Sequence, residues 1–236
     1  MPTYSTIVIE NGSATDMTFF VFQEQASFVG LAEPRVWSNC LATGLLATQE
    51  KSGAQLIIAL DRSIRVGATR HARSMGGYRL GTPSVSGGEI ISRVNALQPV
   101  SLASAREQDE PANHVILTVD PLGLSAATHR TGLRTGAFGL QVPPFAAEHV
   151  DDLLCGNAML DQNGVIVLSS FIAPPPNIEL EISPVPVFYV RPGAAEVGQP
   201  VHYDTVYAAR CDFTSGSKVI TVHFNGDGTF EVSDTN

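Results

Sequence analysis

The feature that most constrains this chain is a short alternation of apolar and polar residues that recurs along its length. Runs such as "STIVIE" (5–10), "HVILTVD" (114–120) and "KVITVHF" (218–224) are rich in β-branched residues and place an apolar side chain at every second position or more often. Alternation with period two puts one set of side chains on one face of an extended strand. About ten such runs, separated by turn residues, predict an all-β fold, which is an antiparallel two-sheet sandwich or flattened barrel.

Helices should be few and short. The segment 143–156 begins with two prolines, continues with apolar residues at helical spacing and stops at Gly156, which predicts one helix. Residues 102–110 are a second candidate. The sequence "NGDG" (225–228) between the last two runs predicts a tight hairpin, since glycine and asparagine tolerate positive φ. We expect residues 1–236 to form a single β-sandwich domain.

The charge and the cysteines argue against several classes of partner and site. With a formal charge of −9 at pH 7, the chain should be repelled by nucleic acid and by anionic membranes, because both attract positive charge. No basic and apolar leader is evident, so a cytoplasmic protein is expected. Cys40, Cys155 and Cys211 are widely spaced, which predicts neither a disulfide nor a zinc site.

Positive charge is nevertheless concentrated in residues 62–81, which hold five arginines, one histidine and no carboxylate. A Gly-Gly turn can present backbone N–H groups to an anion while guanidinium groups clamp it. The segment is therefore predicted to bind a carboxylate, enolate or phosphate. In the alternative, its arginines lie on a solvated strand face and pair with neighbouring carboxylates. The predicted ligand-binding residues here are Arg70, Arg73, Gly76 and Gly77, with His71 as a proton carrier.

A second candidate site is the H-x-D pair His202 and Asp204. Their side chains share one face if residues 201–207 form a strand. Together with His223 they would supply the three ligands of a non-haem iron site. The alternatives are metal-free acid–base chemistry and an ordinary polar strand face, and we expect no metal ion.

The run "MTFFVFQ" (17–23) is apolar on both of its faces. Phe19 and Val21 point to one side of the predicted strand, and Phe20 and Phe22 point to the other. Such a strand is either buried on both sides or lines an apolar cavity. In the second case Phe20 and Phe22 would contact an apolar organic ligand.

Three stretches, "TIVIENGSATDMTFFVFQE" (6–24), "VPVFYVRPGAAEVGQPVHYD" (185–204) and "VITVHFNGDGTFEV" (219–232), combine an asparagine turn, aromatic strands and an Asn-Gly hairpin. In this combination they resemble a family of small, mostly uncharacterised fungal and bacterial proteins. The resemblance covers both ends of the chain and leaves its middle unmatched. It implies an intracellular two-sheet β-protein, sometimes encoded near secondary-metabolite genes, and it carries over no catalytic residue.

These features favour a cofactor-independent isomerase or cyclase that acts on a small, largely apolar molecule with a carbonyl or acidic head, in natural-product biosynthesis. An apolar pocket would hold the reactive conformer, and Arg70 and Arg73 would stabilise oxyanion charge. His71 or His202 would move a proton. Two alternatives stay open. The first is a non-catalytic β-sandwich that serves as a ligand-binding or interaction module, and the second is an HxD-type non-haem metalloenzyme.

Overall fold

The computed structural model describes residues 4–70, 94–106, 110–146, 152–160 and 163–235. Within these ranges the chain forms nineteen strands and one helix of four residues. The prediction of an all-β fold is therefore confirmed.

The first ten strands are β1 (Tyr4–Asn11), β2 (Met17–Gln23), β3 (Ser27–Val29), β4 (Trp37–Asn39), β5 (Ala42–Leu46), β6 (Gln55–Asp61), β7 (Arg65–Arg70), β8 (Ala96–Pro99), β9 (His114–Thr118) and β10 (Gly123–Leu124). The helix α1 (Gln49–Ser52) precedes β6. The other nine strands are β11 (Phe138–Val142), β12 (Leu153–Leu160), β13 (Ile166–Ile172), β14 (Ile178–Ser183), β15 (Val187–Pro192), β16 (Pro200–Val201), β17 (Ala209–Asp212), β18 (Val219–Phe224) and β19 (Phe230–Thr235).

The strands divide among four sheets rather than the two predicted, and none of these sheets closes into a barrel within the described ranges. The first sheet has the order β19-β18-β1-β6 and the second has the order β17-β15-β2-β5. The third is β10-β9-β11-β14-β3 and the fourth is β16-β4-β13-β12-β7-β8. Pairing is mostly antiparallel, but β1 runs parallel to β18 and β9 runs parallel to β11. The predicted strand number is too low because strands as short as β10 and β16 show no alternation.

Two apolar cores hold the sheets together. The first core lies between the first and second sheets and contains Ile7 and Phe19. The second core lies between the third and fourth sheets and contains Phe138. Strand β12 contributes to both cores, because Leu153 packs in the second and Met159 packs in the first. Burial of a side chain of this size contributes roughly 1.5–3 kcal/mol, so β12 couples the two cores energetically.

The helix predicted over 143–156 is wrong at its C-terminal end, where Leu153 begins β12. Seven of the eight residues of β12 are buried. A strand that is buried on both faces carries apolar side chains at successive positions, so its sequence does not alternate and resembles a helix. Residues 147–151 lie outside the described ranges, and 102–106 form no helix.

Among the residues described, no helix has the length and apolarity that crossing a bilayer requires.

The hairpin predicted at 225–228 is confirmed. β18 and β19 pair antiparallel on either side of it. The Asn225 N–H donates to the Thr229 carbonyl oxygen at 2.8 Å, and the Gly228 N–H donates to the Asn225 carbonyl oxygen at 3.0 Å. Gly228 has a φ of 85°, which a residue without a Cβ adopts at no steric cost.

All three cysteines are buried and free. Burial raises the pKa of Cys40, Cys155 and Cys211 to about 12. A thiol with such a pKa keeps its proton at neutral pH, and the protonated form is a poor nucleophile.

We therefore expect the thiols to react only when the chain unfolds. Titration with a thiol reagent should find three reactive cysteines in denaturant and none at neutral pH in buffer, because each sulfur is both protonated and covered. Fast modification of the folded protein would contradict the buried positions, and fewer than three thiols in denaturant would reveal a disulfide.

The packing of β12 against β13 is tightest at Gly156. A Cβ at this position would collide with the carbonyl oxygen of Ser170 and lie 2.7 Å from the Cα of Phe171. Gly156→Ala should lower the free energy of unfolding by about 2–3 kcal/mol, because the backbone of β13 must move to make room. Urea denaturation measures this loss.

Gly226→Ala is the matched control for this substitution. Its new Cβ would lie 3.6 Å from the Gly12 carbonyl oxygen, an ordinary contact. The control should change stability by less than about 0.5 kcal/mol. Equal stability of the two variants would show that β13 does not pack closely on Gly156.

Candidate functional site

A cavity of about 180 Å³ lies where residues of the first, second and fourth sheets meet. The loop from β6 to β7 forms one wall, β12 forms another, and the connector from β14 to β15 forms a third. Gln23 and Phe188, which pair between β2 and β15, complete it. The polar lining residues are Gln23, Asp61, Arg62, Ser63 and Asn157, and the apolar ones are Ile64, Leu102, Met159, Pro184, Val185, Pro186 and Phe188.

Asp61 is the carboxylate of the cavity, and it is already paired. It ends β6 and is 4% exposed. Ser63 N–H donates to its Oδ1 at 2.9 Å, and Arg65 Nη2 donates to its Oδ2 at 2.7 Å. Burial alone would raise the pKa of Asp61, but the hydrogen bonds from Ser63 and the charge of Arg65 outweigh it, so the pKa is lowered. Asp61 is therefore an ionised carboxylate whose charge Arg65 balances.

Arg62 is the lining residue whose charge is not balanced. It follows Asp61 at the end of β6 and is half-buried. Its guanidinium forms no hydrogen bond or ion pair with any residue that the structure describes. Because Asp61 and Arg65 neutralise each other, the described part of the cavity presents one net positive charge at Arg62.

Two buried amides form the inner polar wall. Asn157 Nδ2 donates to Gln23 Oε1 at 3.1 Å and to Ser169 Oγ at 2.8 Å. Gln23 Nε2 donates to the Val185 carbonyl oxygen at 2.8 Å. The pairing of β12 with β13 shifts register between Asn157 and Ala158, and such a bulge redirects the side chains beside it. Within the protein the Asn157 amide therefore donates twice and the Gln23 amide donates once.

This arrangement can hold an anion, and it is poorly suited to proton transfer. A guanidinium presents N–H donors in a planar fork that matches a carboxylate. The lowered pKa of Asp61 makes it a weak base at neutral pH. The described lining contains no histidine.

The predicted arginine segment is described only up to Arg70. Arg70 ends β7, and its Nη2 donates to the Val119 carbonyl oxygen. Its backbone N–H donates to Asn95 Oδ1 at 3.0 Å. These bonds attach β7 to neighbouring loops, and Arg70 is not among the described residues that line the cavity. The predicted residues His71, Arg73, Gly76 and Gly77 lie outside the described ranges, so their roles stay predictions.

Strand β2, which carries Phe20 and Phe22, is buried on both of its faces. Of the two predicted alternatives, burial on both sides and lining of an apolar cavity, this is the first. Phe19 and Val21 pack in the first core. Phe20 and Phe22 pack in a separate cluster on the other face of β2. The Phe22 ring stacks on Tyr189 with the ring centroids 5.4 Å apart. Neither Phe20 nor Phe22 lines the cavity described above.

The structure corrects the strand proposed for His202 and Asp204. Only Pro200–Val201 is extended, and residues 202–205 have no regular structure, so the argument that the two side chains share a strand face does not apply. His202 is exposed. Asp204 Oδ1 accepts a hydrogen bond from the Val206 N–H at 3.0 Å, and its Oδ2 lies 3.9 Å from Arg191 Nη2.

His223 has a different partner from the one proposed for it. Its Nδ1 lies 3.2 Å from Glu10 Oε2 on the neighbouring strand. Within the described ranges, no three His, Cys, Asp or Glu side chains are placed to hold a metal ion.

Sequence reasoning missed Asn157, Gln23 and Asp61. The signal for each was a polar residue inside or at the end of an apolar run, as in "LLCGNAML" (153–160). A polar side chain at a buried strand position requires hydrogen-bond partners, so such positions are candidates for a functional site. Arg62 belongs to the predicted basic segment, but the sequence prediction assigns ligand binding to the glycine-rich part of that segment.

Comparison of the chain with protein-family models, with curated proteins and with solved structures finds no match at any of the three levels. The resemblance to fungal and bacterial proteins therefore stays a prediction, and the function is argued from the cavity alone.

The pairing of Asp61 with Arg65 makes the stability of the chain depend on pH. The pKa of Asp61 is lowered in the folded chain, so its contribution is present above the unfolded value of about 3.9. The contribution is lost as the pH falls through the folded pKa. Wild type should therefore lose more stability than Asp61→Asn between about pH 5 and pH 2, as measured by urea denaturation. Parallel pH profiles would show that Asp61 is not stabilised in its ionised form.

Proposed function

We propose that this protein binds a small organic anion, whose acidic group pairs with Arg62 and whose apolar body fills the cavity beside it. The observation that carries the proposal is Arg62, a half-buried residue of the lining whose guanidinium has no partner among the described residues. A hydrogen bond to an anion stabilises a partly desolvated cation next to an apolar wall more than it stabilises a fully solvated cation.

The volume of the cavity limits the size of the ligand. A cavity of roughly 150 Å³ in another protein holds benzene, and this one measures about 180 Å³. Typical drug-sized ligands need roughly 300–1,000 Å³. The supported ligand is therefore a single ring or a short chain with one acidic group, of which benzoate is a convenient representative.

The apolar lining supplies the remaining affinity. Phe188 and Met159 are nearly fully buried, and the prolines of the β14–β15 connector, Pro184 and Pro186, add rigid apolar surface. At an intermediate ligand efficiency of about −0.6 kcal/mol per non-hydrogen atom, the nine such atoms of benzoate give a Kd on the order of 0.1 mM.

Binding is supported better than catalysis. The described part of the cavity offers a cation and an apolar wall, while its carboxylate is paired with Arg65 and is a weak base. The isomerase or cyclase activity stays a prediction, in which the same cavity would confine the substrate. Of the functions inferred from the sequence, the non-catalytic ligand-binding domain agrees best with this geometry.

The test is the affinity of Arg62→Ala for benzoate, measured by isothermal titration calorimetry at low ionic strength. The variant should bind at least 10-fold more weakly than wild type, because it loses the charged hydrogen bond. Its thermal stability should be nearly unchanged, since Arg62 contacts no described residue through a polar bond. Added salt should weaken binding to wild type more than to the variant.

Arg134→Ala is the matched control. Arg134 pairs with Glu181 on the third sheet, away from the described lining of the cavity, so this variant should bind benzoate as wild type does. Equal binding by Arg62→Ala and wild type, or no binding to wild type at 10-fold above the expected Kd, would overturn the proposed function.

A further inference from the structure

We infer that the ligand carries a neutral hydrogen-bond donor in addition to its acidic group, and is therefore a small hydroxy acid. The inference rests on the proposed function, since it concerns the same cavity. It is carried by Asn157, which lines the cavity and is 1% exposed.

The amide of Asn157 is satisfied on one side only. Its Nδ2 donates to Gln23 and to Ser169. Its Oδ1 is buried and accepts no hydrogen bond from any residue within the described ranges. Buried polar atoms in folded proteins almost always have a partner, so an acceptor of this kind in a cavity wall points to a donor that the bound molecule supplies.

Among the buried side-chain oxygens of the lining residues that the structure describes, Asn157 Oδ1 is the one without a donor. Gln23 donates to the Val185 carbonyl oxygen and accepts from Asn157. Asp61 accepts from Ser63 and Arg65. A ligand that fits the cavity therefore meets a cationic donor at Arg62, and it lies beside the residue whose Oδ1 is an acceptor without a donor, with less than 1 Å² of accessible surface.

The donor should be neutral. An ammonium group placed beside Asn157 would lose its water without gaining a counter-charge, because Arg65 already balances Asp61. A hydroxyl group gives up less hydration, and its proton meets the requirement of Oδ1. Contact between the hydroxyl and Oδ1 needs a rotation of the amide about χ2, a torsion with a broad energy well. This rotation also moves Nδ2 relative to its acceptors on Gln23 and Ser169.

The experiment compares ligands that differ in one group. Benzoate, its three hydroxy isomers and the three corresponding methoxybenzoates are titrated into the wild-type chain by calorimetry. At least one hydroxybenzoate should bind 10-fold or more tightly than benzoate. The methoxy compound of the same substitution pattern should show no gain, because a methoxy oxygen accepts a hydrogen bond but cannot donate one.

Two variants locate the effect. Asn157→Leu should lose the 10-fold preference for the hydroxy compound, measured within the variant as the ratio of its Kd for benzoate to its Kd for that compound. Arg62→Ala should weaken all of these ligands and keep the preference. Because the comparison of ligands on wild type is decisive by itself, the inference stays testable even if Asn157→Leu does not fold.

The outcomes separate the two proposals. If benzoate binds through Arg62 but no hydroxybenzoate gains affinity, a buried water satisfies Oδ1 and the inference is overturned while the proposed function stands. A preference that survives in Asn157→Leu overturns the inference as well, since the hydroxyl group then contacts another residue. If none of the acids binds to wild type, the proposed function itself fails.

Discussion

The burial of β12 on both of its faces is the constraint on which the rest of the structure depends. One face carries Leu153 and Cys155 into the second core and Met159 into the first core. The other face packs on a smaller cluster that includes Leu154 and Phe171. Two pairs of sheets are thus joined through β12 and its neighbour β13, which places Val167 in the first core and Ile172 in the second. The absence of a side chain at Gly156 lets β13 pack against β12.

The cavity follows from this junction. Asn157 stands on β12 between the residues of the second core and Met159 of the first, so a polar side chain lies where the two apolar cores meet. Apolar packing is interrupted there, and the polar groups that remain must satisfy one another. Asp61 does so with Arg65 and Gln23 does so with Val185, while Arg62 and Asn157 Oδ1 have no hydrogen-bond partner among the described residues.

Much of the fold could be predicted from alternation, but the site could not. Strands with one buried face, such as β1 and β18, alternate clearly and were predicted close to their observed bounds. β12 was mistaken for the end of a helix because both of its faces are buried. The cavity joins residues from positions 23, 61 and 157, and a sequence gives no measure of which strands meet. Arg62 lies within the predicted basic segment, but that it has no partner among the described residues is visible only in three dimensions.

The parallel pairing of β1 with β18 determines the order in which the chain can fold. Thr6 lies beside Val219 and Asn11 lies beside Phe224, so the first sheet joins residues from the two ends of the sequence. Closing so long a loop is entropically costly, and folds dominated by distant contacts form slowly. During synthesis β1 must wait for β18 to leave the ribosome. Until then β6 is the strand that pairs with β1 in the first sheet. The N–H and C=O groups along the free edge of β1 are then exposed to other chains, so this protein should depend on chaperones more than its final stability suggests.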